Sequence, residues 1–166
     1  MARPAYIVCA DTCIEDKATS RLSFVSVLQK VKASGVNPHG EKASTGVGGK
    51  FDATLVSVWL FDDSDAGCEF ENEVVIHSED GQHEFCMQIP PFIVAPDASR
   101  SFQQAKIALH GLPPLQSSGV WNITNRIRKA GSLGDWISQS FPFIFSGDPA
   151  YFEVARTATF GTVLRL

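Results

Sequence analysis

Between Phe51 and Phe61, apolar side chains occupy both sides of an alternating pattern. Phe51, Ala53, Leu55 and Trp59 fall on one side, and Val56, Val58 and Leu60 on the other. A strand buried on one face is apolar at every second position, so a run that is apolar on both faces must be covered on both. The run ends in Asp62-Asp63-Ser64-Asp65-Ala66-Gly67, a polar turn. Such a strand belongs in the middle of a sheet, and the rest of the chain has to supply its neighbours and a second layer.

Those neighbours can be read along the chain. Residues 5–14 alternate as an extended run, Glu15 to Ser20 form a polar turn, and Leu22 to Leu28 resume, so the two runs predict a hairpin. Residues 34–50 carry six glycines or prolines (Gly35, Pro38, Gly40, Gly46, Gly48, Gly49) and predict a loop. Asp80-Gly81 predicts a type I′ turn that pairs Glu79 with Gln82, Ser78 with His83, His77 with Glu84 and Ile76 with Phe85. That register puts Val74, Ile76, Phe85 and Met87 on a core face. Val75, His77, Glu79, Gln82, Glu84 and Cys86 fall on a mostly solvated one, and a one-residue slip would mix the two. Pro90-Pro91 breaks the following strand or marks an edge.

Asp97 to Arg100 is a polar segment. The alternation of Ala105, Ile107 and Leu109 with Lys106 and His110 favours a strand over a short helix. From Val120 to Arg128, Trp121, Ile123 and Ile127 point inward, with Asn122, Thr124, Arg126 and Arg128 outward. Phe141, Phe143 and Phe145 mark a last strand, which Pro142 assigns to an edge. About eight short strands with turn signals between them predict a mainly β fold, a two-layer antiparallel β-sandwich of Ig-like, Greek-key type over residues 1–146. Residues 147–166 read as a C-terminal extension without an assigned structure.

Composition narrows the function classes. A chain of 166 residues fits one domain and needs no disulfide or metal to fold. Its net charge of −4 argues against sequence-independent nucleic-acid binding, which depends on a basic surface. No segment supplies the roughly 20 apolar residues of a spanning helix, so no membrane partner is expected. Asp11 interrupts the apolar N-terminal run and no cleavage region follows, so no signal peptide is expected. Cys9 and Cys13 share one strand, ~13 Å apart and too far for a disulfide; with Cys68 and Cys86 they form no CxxC pair. Reduced thiols and a cytoplasmic location are the expectation, and the Asn122-Ile123-Thr124 sequon is discounted for that reason.

Several stretches carry a family resemblance. Cys9-Ala10-Asp11, Ile14-Glu15-Asp16, Thr19 and Arg21-Leu22-Ser23-Phe24-Val25-Ser26-Val27 resemble the opening of a bacterial family of uncharacterised proteins, the domain of unknown function DUF6941. Leu109-His110-Gly111-Leu112-Pro113, Gly119-Val120-Trp121-Asn122-Ile123 and Phe141-Pro142-Phe143 are similar to its later elements. The similarity spans about residues 4–146, and the loop at 34–50 and the tail after Gly147 depart from the pattern. The resemblance implies a sandwich and a bacterial or phage source. It implies no activity and transfers no catalytic residue.

Five groups of residues have types suited to chemistry. Asp62, Asp63, Asp65 and Glu69 cluster in one turn, and oxygen-rich loops suit Ca²⁺, although the spacing only half matches an EF-hand loop. His77, Glu79 and Glu84 share a sheet face and offer a transition-metal set or a surface charge cluster. Gly46-Val47-Gly48-Gly49-Lys50 departs from a phosphate loop, because Ser44 stands where a glycine is needed, Phe51 follows the lysine, and a strand rather than a helix comes next. Cys9 and Cys13 have no histidine near in sequence, and His39, His77, His83 and His110 are scattered, so no catalytic set is assigned. Arg126, Arg128 and Lys129, with Lys106 as a possible neighbour, offer either an acidic-partner site or the cationic guard of a sheet edge. These features favour a non-enzymatic protein-interaction or structural module with a protein partner and no cofactor. The alternative is Ca²⁺ or small-ligand binding at Asp62–Asp65.

Overall fold

The computed structural model of the chain describes residues 2–16, 18–19, 21–34, 52–95, 102–110 and 112–157, without the side chains of 102, 103, 110 and 157. The predicted loop at 34–50, apart from Ser34, and the predicted polar segment Asp97–Arg100 lie outside these residues. Among the described residues nine strands run in the order β1 (Arg3–Asp16), β2 (Arg21–Val27), β3 (Lys30–Ala33), β4 (Asp52–Leu60), β5 (Glu69–Ser78), β6 (Glu84–Ile93), β7 (Phe102–His110), β8 (Gly119–Lys129) and β9 (Ile137–Gly147), followed by helix α1 (Pro149–Thr157). They form two packed sheets, β2-β1-β4-β7 and β3-β9-β8-β5-β6, so the fold is the expected β-sandwich. Every pairing is antiparallel except β3 with β9.

β4 takes the central place that its two apolar faces require, hydrogen-bonded to β1 on one side and β7 on the other. Ala53, Leu55 and Trp59 point into the sandwich. Val56 and Val58, on the face turned away from the second sheet, are only 0% and 4% exposed. The β1–β2 hairpin bends beside this face. Lys106 pairs with Val56, and Val56 with Val8, while Glu15 lies seven residues beyond Val8. A straight strand at ~3.3 Å per residue would carry Glu15 roughly 23 Å past that level. Glu15 and Lys106 nevertheless form an ion pair, so the far half of the hairpin turns towards β7. Cys13, Leu22 and Phe24 are half-buried there, whereas Ile14, Val25 and Val27 stay exposed.

The β5–β6 hairpin has the predicted register, with His77 opposite Glu84 and Ile76 opposite Phe85. Its turn differs from the type I′ form. Gly81 N–H donates to Ser78 O (3.0 Å), so Glu79 and Asp80 are the central residues, and of the turn residues only Gly81 has positive φ, at +69°. Local polar bonds decide this: Asp80 Oδ1 accepts from Ser78 Oγ (2.5 Å) and Gln82 N (3.0 Å). Glu79 N–H donates to Val120 O in β8 rather than pairing with Gln82. The register survives because the longer loop adds one residue to each side. Pro90 and Pro91 lie in β6, an edge strand, and form a bulge there: the two stand opposite the single residue Glu71 between the pairs Phe70–Phe92 and Asn72–Ile89.

The expected hairpin is present: β2 pairs with β1 from Arg21 to Val27, and Leu28 N–H still bonds Cys9 O (2.8 Å). The chain then crosses to the other sheet, where β3 pairs with Ile144 to Gly147, and this corrects the edge position expected for the last strand. β9 is therefore not an edge strand, because β8 flanks it on one side and β3 on the other. Pro142 is tolerated since β3 begins its pairing only at Ile144, so among the described residues no strand is hydrogen-bonded to the Pro142 stretch on that side.

Within the stretch that follows Gly147, residues 149–157 form α1. Asp148 caps it by accepting Tyr151 N–H on Oδ1 (2.6 Å), and Pro149 starts the first turn. Tyr151 and Ala155 are buried in the sandwich core, and Tyr151 OH accepts Leu115 N–H (3.0 Å).

The interior has a polar layer. Leu55, Val74, Ile123 and Phe141 belong to or pack on one apolar cluster, and Trp59, Phe70, Ile127 and Ile137 to a second. On these same four strands, Ser57, Asn72, Asn125 and Gln139 stand between the two clusters, all buried. Gln139 Nε2 reaches Ser57 Oγ across the sheets (2.6 Å), and Trp59 Nε1 reaches Asn125 Oδ1 (3.1 Å). Asn125 Nδ2 donates to Asn72 Oδ1 (2.6 Å) and Glu73 O (3.0 Å).

Candidate functional site

The face of the five-stranded sheet turned away from the core carries a connected group of charged and aromatic side chains. Period-two alternation places Glu71 and Glu73 of β5 on this face, opposite Arg128 and Arg126 of β8. Arg126 Nε bonds Glu73 Oε1, and Arg128 Nε (3.1 Å) and Nη2 (2.6 Å) bond Glu71 Oε2. Glu73 is 3% exposed, and its Oε2 also accepts from Gln88 Nε2 (2.6 Å) and Cys86 Sγ (3.1 Å). Burial opposes its charge, but the Cys86 thiol, Arg126 guanidinium and Gln88 amide outweigh it and hold the carboxyl below its usual range. Burial and the bond to Glu73 push the Cys86 thiol up to about 11.

Trp136 completes the array. Both guanidinium groups lie over its ring, Arg126 at 5.2 Å and Arg128 at 4.6 Å from the centroid. Leu133, in the turn leading to Trp136, is fully exposed, and Ile93 at the end of β6 is 63% exposed. Ala130 N–H bonds Glu69 O, and Glu69 pairs with Ile93, so the turn and the end of β6 share one end of the sandwich.

The sequence candidates meet different fates. Arg126 and Arg128 share the face as expected, but β8 is flanked by β5 and β9, so they guard no edge. Lys129 alternates to the other side and sits beside Cys68, and Lys106 is in the opposite sheet. Of the acidic turn, Asp65 is buried and its Oδ2 accepts Asp62 N–H (3.1 Å), while Asp62 Oδ1 bonds Arg3 (3.1 Å). His77 engages Thr124 and Ser78, and no ion pair joins it to Glu79 or Glu84 among the described residues. Among the described residues no three His, Cys, Asp or Glu side chains are placed to hold a metal ion. Cys9 is buried, which pushes its thiol up to about 12, the reverse of an activated nucleophile. His83 stacks on Trp121, and His39 and the side chain of His110, like Gly46–Lys50, lie outside the described residues.

Glu73, Glu71 and Trp136 were not singled out by sequence reading. Their signal was present as acidic residues at period two in one strand and basic residues at period two in another. A cleft of about 390 Å³ beside α1, lined by Gly147, Pro149, Phe152, Glu153 and Arg156, brings no further nucleophile or metal-ligand set. No described helix is long and apolar enough to cross a membrane. Comparison with protein-family models finds none that matches the chain, and comparison with curated proteins finds no match either.

Proposed function

We propose that this chain is a non-enzymatic interaction module that presents the outer face of its five-stranded sheet to a protein partner. One observation carries the reading: fully exposed Leu133 and exposed Ile93 flank an Arg126–Trp136–Arg128 array at one end of the sandwich. Tryptophan and arginine dominate interface hot spots, and apolar side chains beside them supply the desolvated centre. The strand order supports an Ig-like assignment. β1-β4-β7 and β9-β8-β5-β6 correspond to the two layers of such a fold, and β3 is the segment that crosses to pair with the last strand. The free state of Cys9, Cys13, Cys68 and Cys86 supports a reducing, cytoplasmic setting, and the resemblance to a bacterial domain of unknown function supports a bacterial or phage source.

The test is cross-linking capture from the source cell with wild type, Ile93→Asp and Leu133→Asp at matched melting temperatures. A partner captured by wild type and lost with either aspartate supports the reading. Equal capture by all three, or no partner for any, overturns it.

A further inference from the structure

At the other end of the same face three side chains are joined in a row. His77 meets the Ser78 carbonyl oxygen through Nδ1 (3.1 Å) and the Thr124 hydroxyl through Nε2 (3.0 Å). Thr124 Oγ1 lies 2.7 Å from Ser140 Oγ in β9. Thr124 is buried, whereas Ser140 is exposed.

The chemistry of these groups orders their protons. A carbonyl oxygen only accepts, so Nδ1 carries a proton in either charge state. In the neutral ring Nε2 then holds a lone pair, and Thr124 O–H donates to it. A hydroxyl has one proton, so Thr124 Oγ1 accepts from Ser140, whose lone pairs face solvent. In the imidazolium both ring nitrogens donate. Nε2–H then donates to Thr124, Thr124 donates to Ser140, and the Ser140 proton turns outward.

We propose that His77, Thr124 and Ser140 form a directional relay that converts protonation of His77 into a reversal of the hydrogen-bonding character of Ser140. Ser140 presents an acceptor while His77 is neutral and a donor once it is charged. The groups around His77 fit this role. Glu84 stands opposite it in β6, Glu79 follows it in its own chain, Asn122 is its partner in β8, and the nearer of the two β8 arginines, Arg126, is engaged by Glu73; Lys30 and Lys32 of β3 lie on the same face beyond β9. A group docking over Ser140 is thus selected by pH through its own donor or acceptor character. The relay goes beyond the docking reading and holds without a partner.

Two-bond ¹H–¹⁵N NMR of the full chain at about pH 8 reads which ring nitrogen is protonated. The expected result is a proton on Nδ1 and none on Nε2, and Thr124→Val should leave that proton on Nδ1, because the Ser78 carbonyl oxygen can only accept. Neutron diffraction at about pH 8 and about pH 5 locates the hydroxyl deuterons, which should reverse direction at both Thr124 and Ser140. A neutral His77 protonated on Nε2 in the wild-type chain, or hydroxyl directions unchanged between the two pH values, overturns the relay.

Discussion

Replacing Asn125 with leucine tests the polar layer directly. The two side chains are similar in size, so the change removes polarity with little change in volume. Asn125 is fully buried and serves three groups: it accepts from the Trp59 indole N–H and donates to Asn72 Oδ1 and Glu73 O. Trp59, Asn72 and Glu73 are themselves buried, so water cannot readily replace the lost partner. Each stranded buried group costs about 1–3 kcal/mol. The Glu73 carbonyl has a second lone pair and lies in a strand paired on both sides, so it contributes least, and burial of leucine offsets part of the rest. The expected net loss is about 2–5 kcal/mol, a large share of the ~5–15 kcal/mol typical of a folded domain. A drop in melting temperature of roughly 5–15 °C should accompany it. The assay is urea unfolding followed by fluorescence and circular dichroism, with coincident transitions as the two-state check. Trp59→Phe supplies the other arm of a double-mutant cycle: it removes the indole donor, so the double variant should be more stable than the sum of the single losses by about 1 kcal/mol. An Asn125→Leu protein as stable as wild type, or a coupling near zero, would refute the reasoning.

Three further outcomes follow from named contacts. The Glu73 carboxyl is held below its usual range in the folded chain, so its contribution is present at neutral pH and is lost as pH falls from about 4.5 through the depressed native value. Urea midpoints measured from about pH 7 to pH 3 should therefore fall in acid, and Glu73→Gln should be less stable at neutrality with a shallower acid decline. At Gly147 an added Cβ would stand 2.6 Å from Tyr151 Cδ1 and 2.9 Å from Phe152 Cζ, so Gly147→Ala should destabilise by about 1–3 kcal/mol and weaken the near-ultraviolet signal of Tyr151. Thiol labelling of the folded chain at about pH 8 should leave Cys9 unreacted until unfolding and modify Cys86 at least ten-fold more slowly than a free thiol, despite its exposed position; rapid labelling of either contradicts the burial and hydrogen bonding described.

What the sequence made legible followed from alternation. The two apolar faces of β4 and the one-sided patterns of the β5–β6 hairpin and β8 can be read without knowing their neighbours, because each pattern permits one orientation. The turn of that hairpin was misjudged because Ser78 and Asp80 bond the local backbone, and a dipeptide signal does not include them. β3 is short and contains Lys30 and Lys32, so nothing local marks it as a strand; its pairing depends on β9, more than a hundred residues away. The position of β9 was misjudged for the same reason, since Pro142 reports only its own N–H side. Of the candidate site, Arg126 and Arg128 were legible as neighbours, but their acidic partners depend on the β5–β8 pairing, which is also non-local.

The polar layer was the least legible feature and has the widest structural consequence. Ser57, Asn72, Asn125 and Gln139 lie on four different strands, and in each strand one polar residue within an inward-facing series reads only as an interruption. Assembled, they occupy one level between two apolar clusters, with bonds crossing between the sheets at Gln139–Ser57 and Trp59–Asn125. Apolar packing between two sheets is tolerant of sliding, because hydrophobic attraction has no direction. Hydrogen bonds are directional, and misaligning these by one residue pair would bury several donors and acceptors without partners. The layer therefore fixes how the two sheets lie on each other. The backbone of Glu73 and the side chain of Asn125 are joined within it, so the same layer anchors the strand segment that carries the Glu73–Arg126 pair on the outer face. The alignment of the interior and the placement of the candidate docking surface thus rest on one set of bonds.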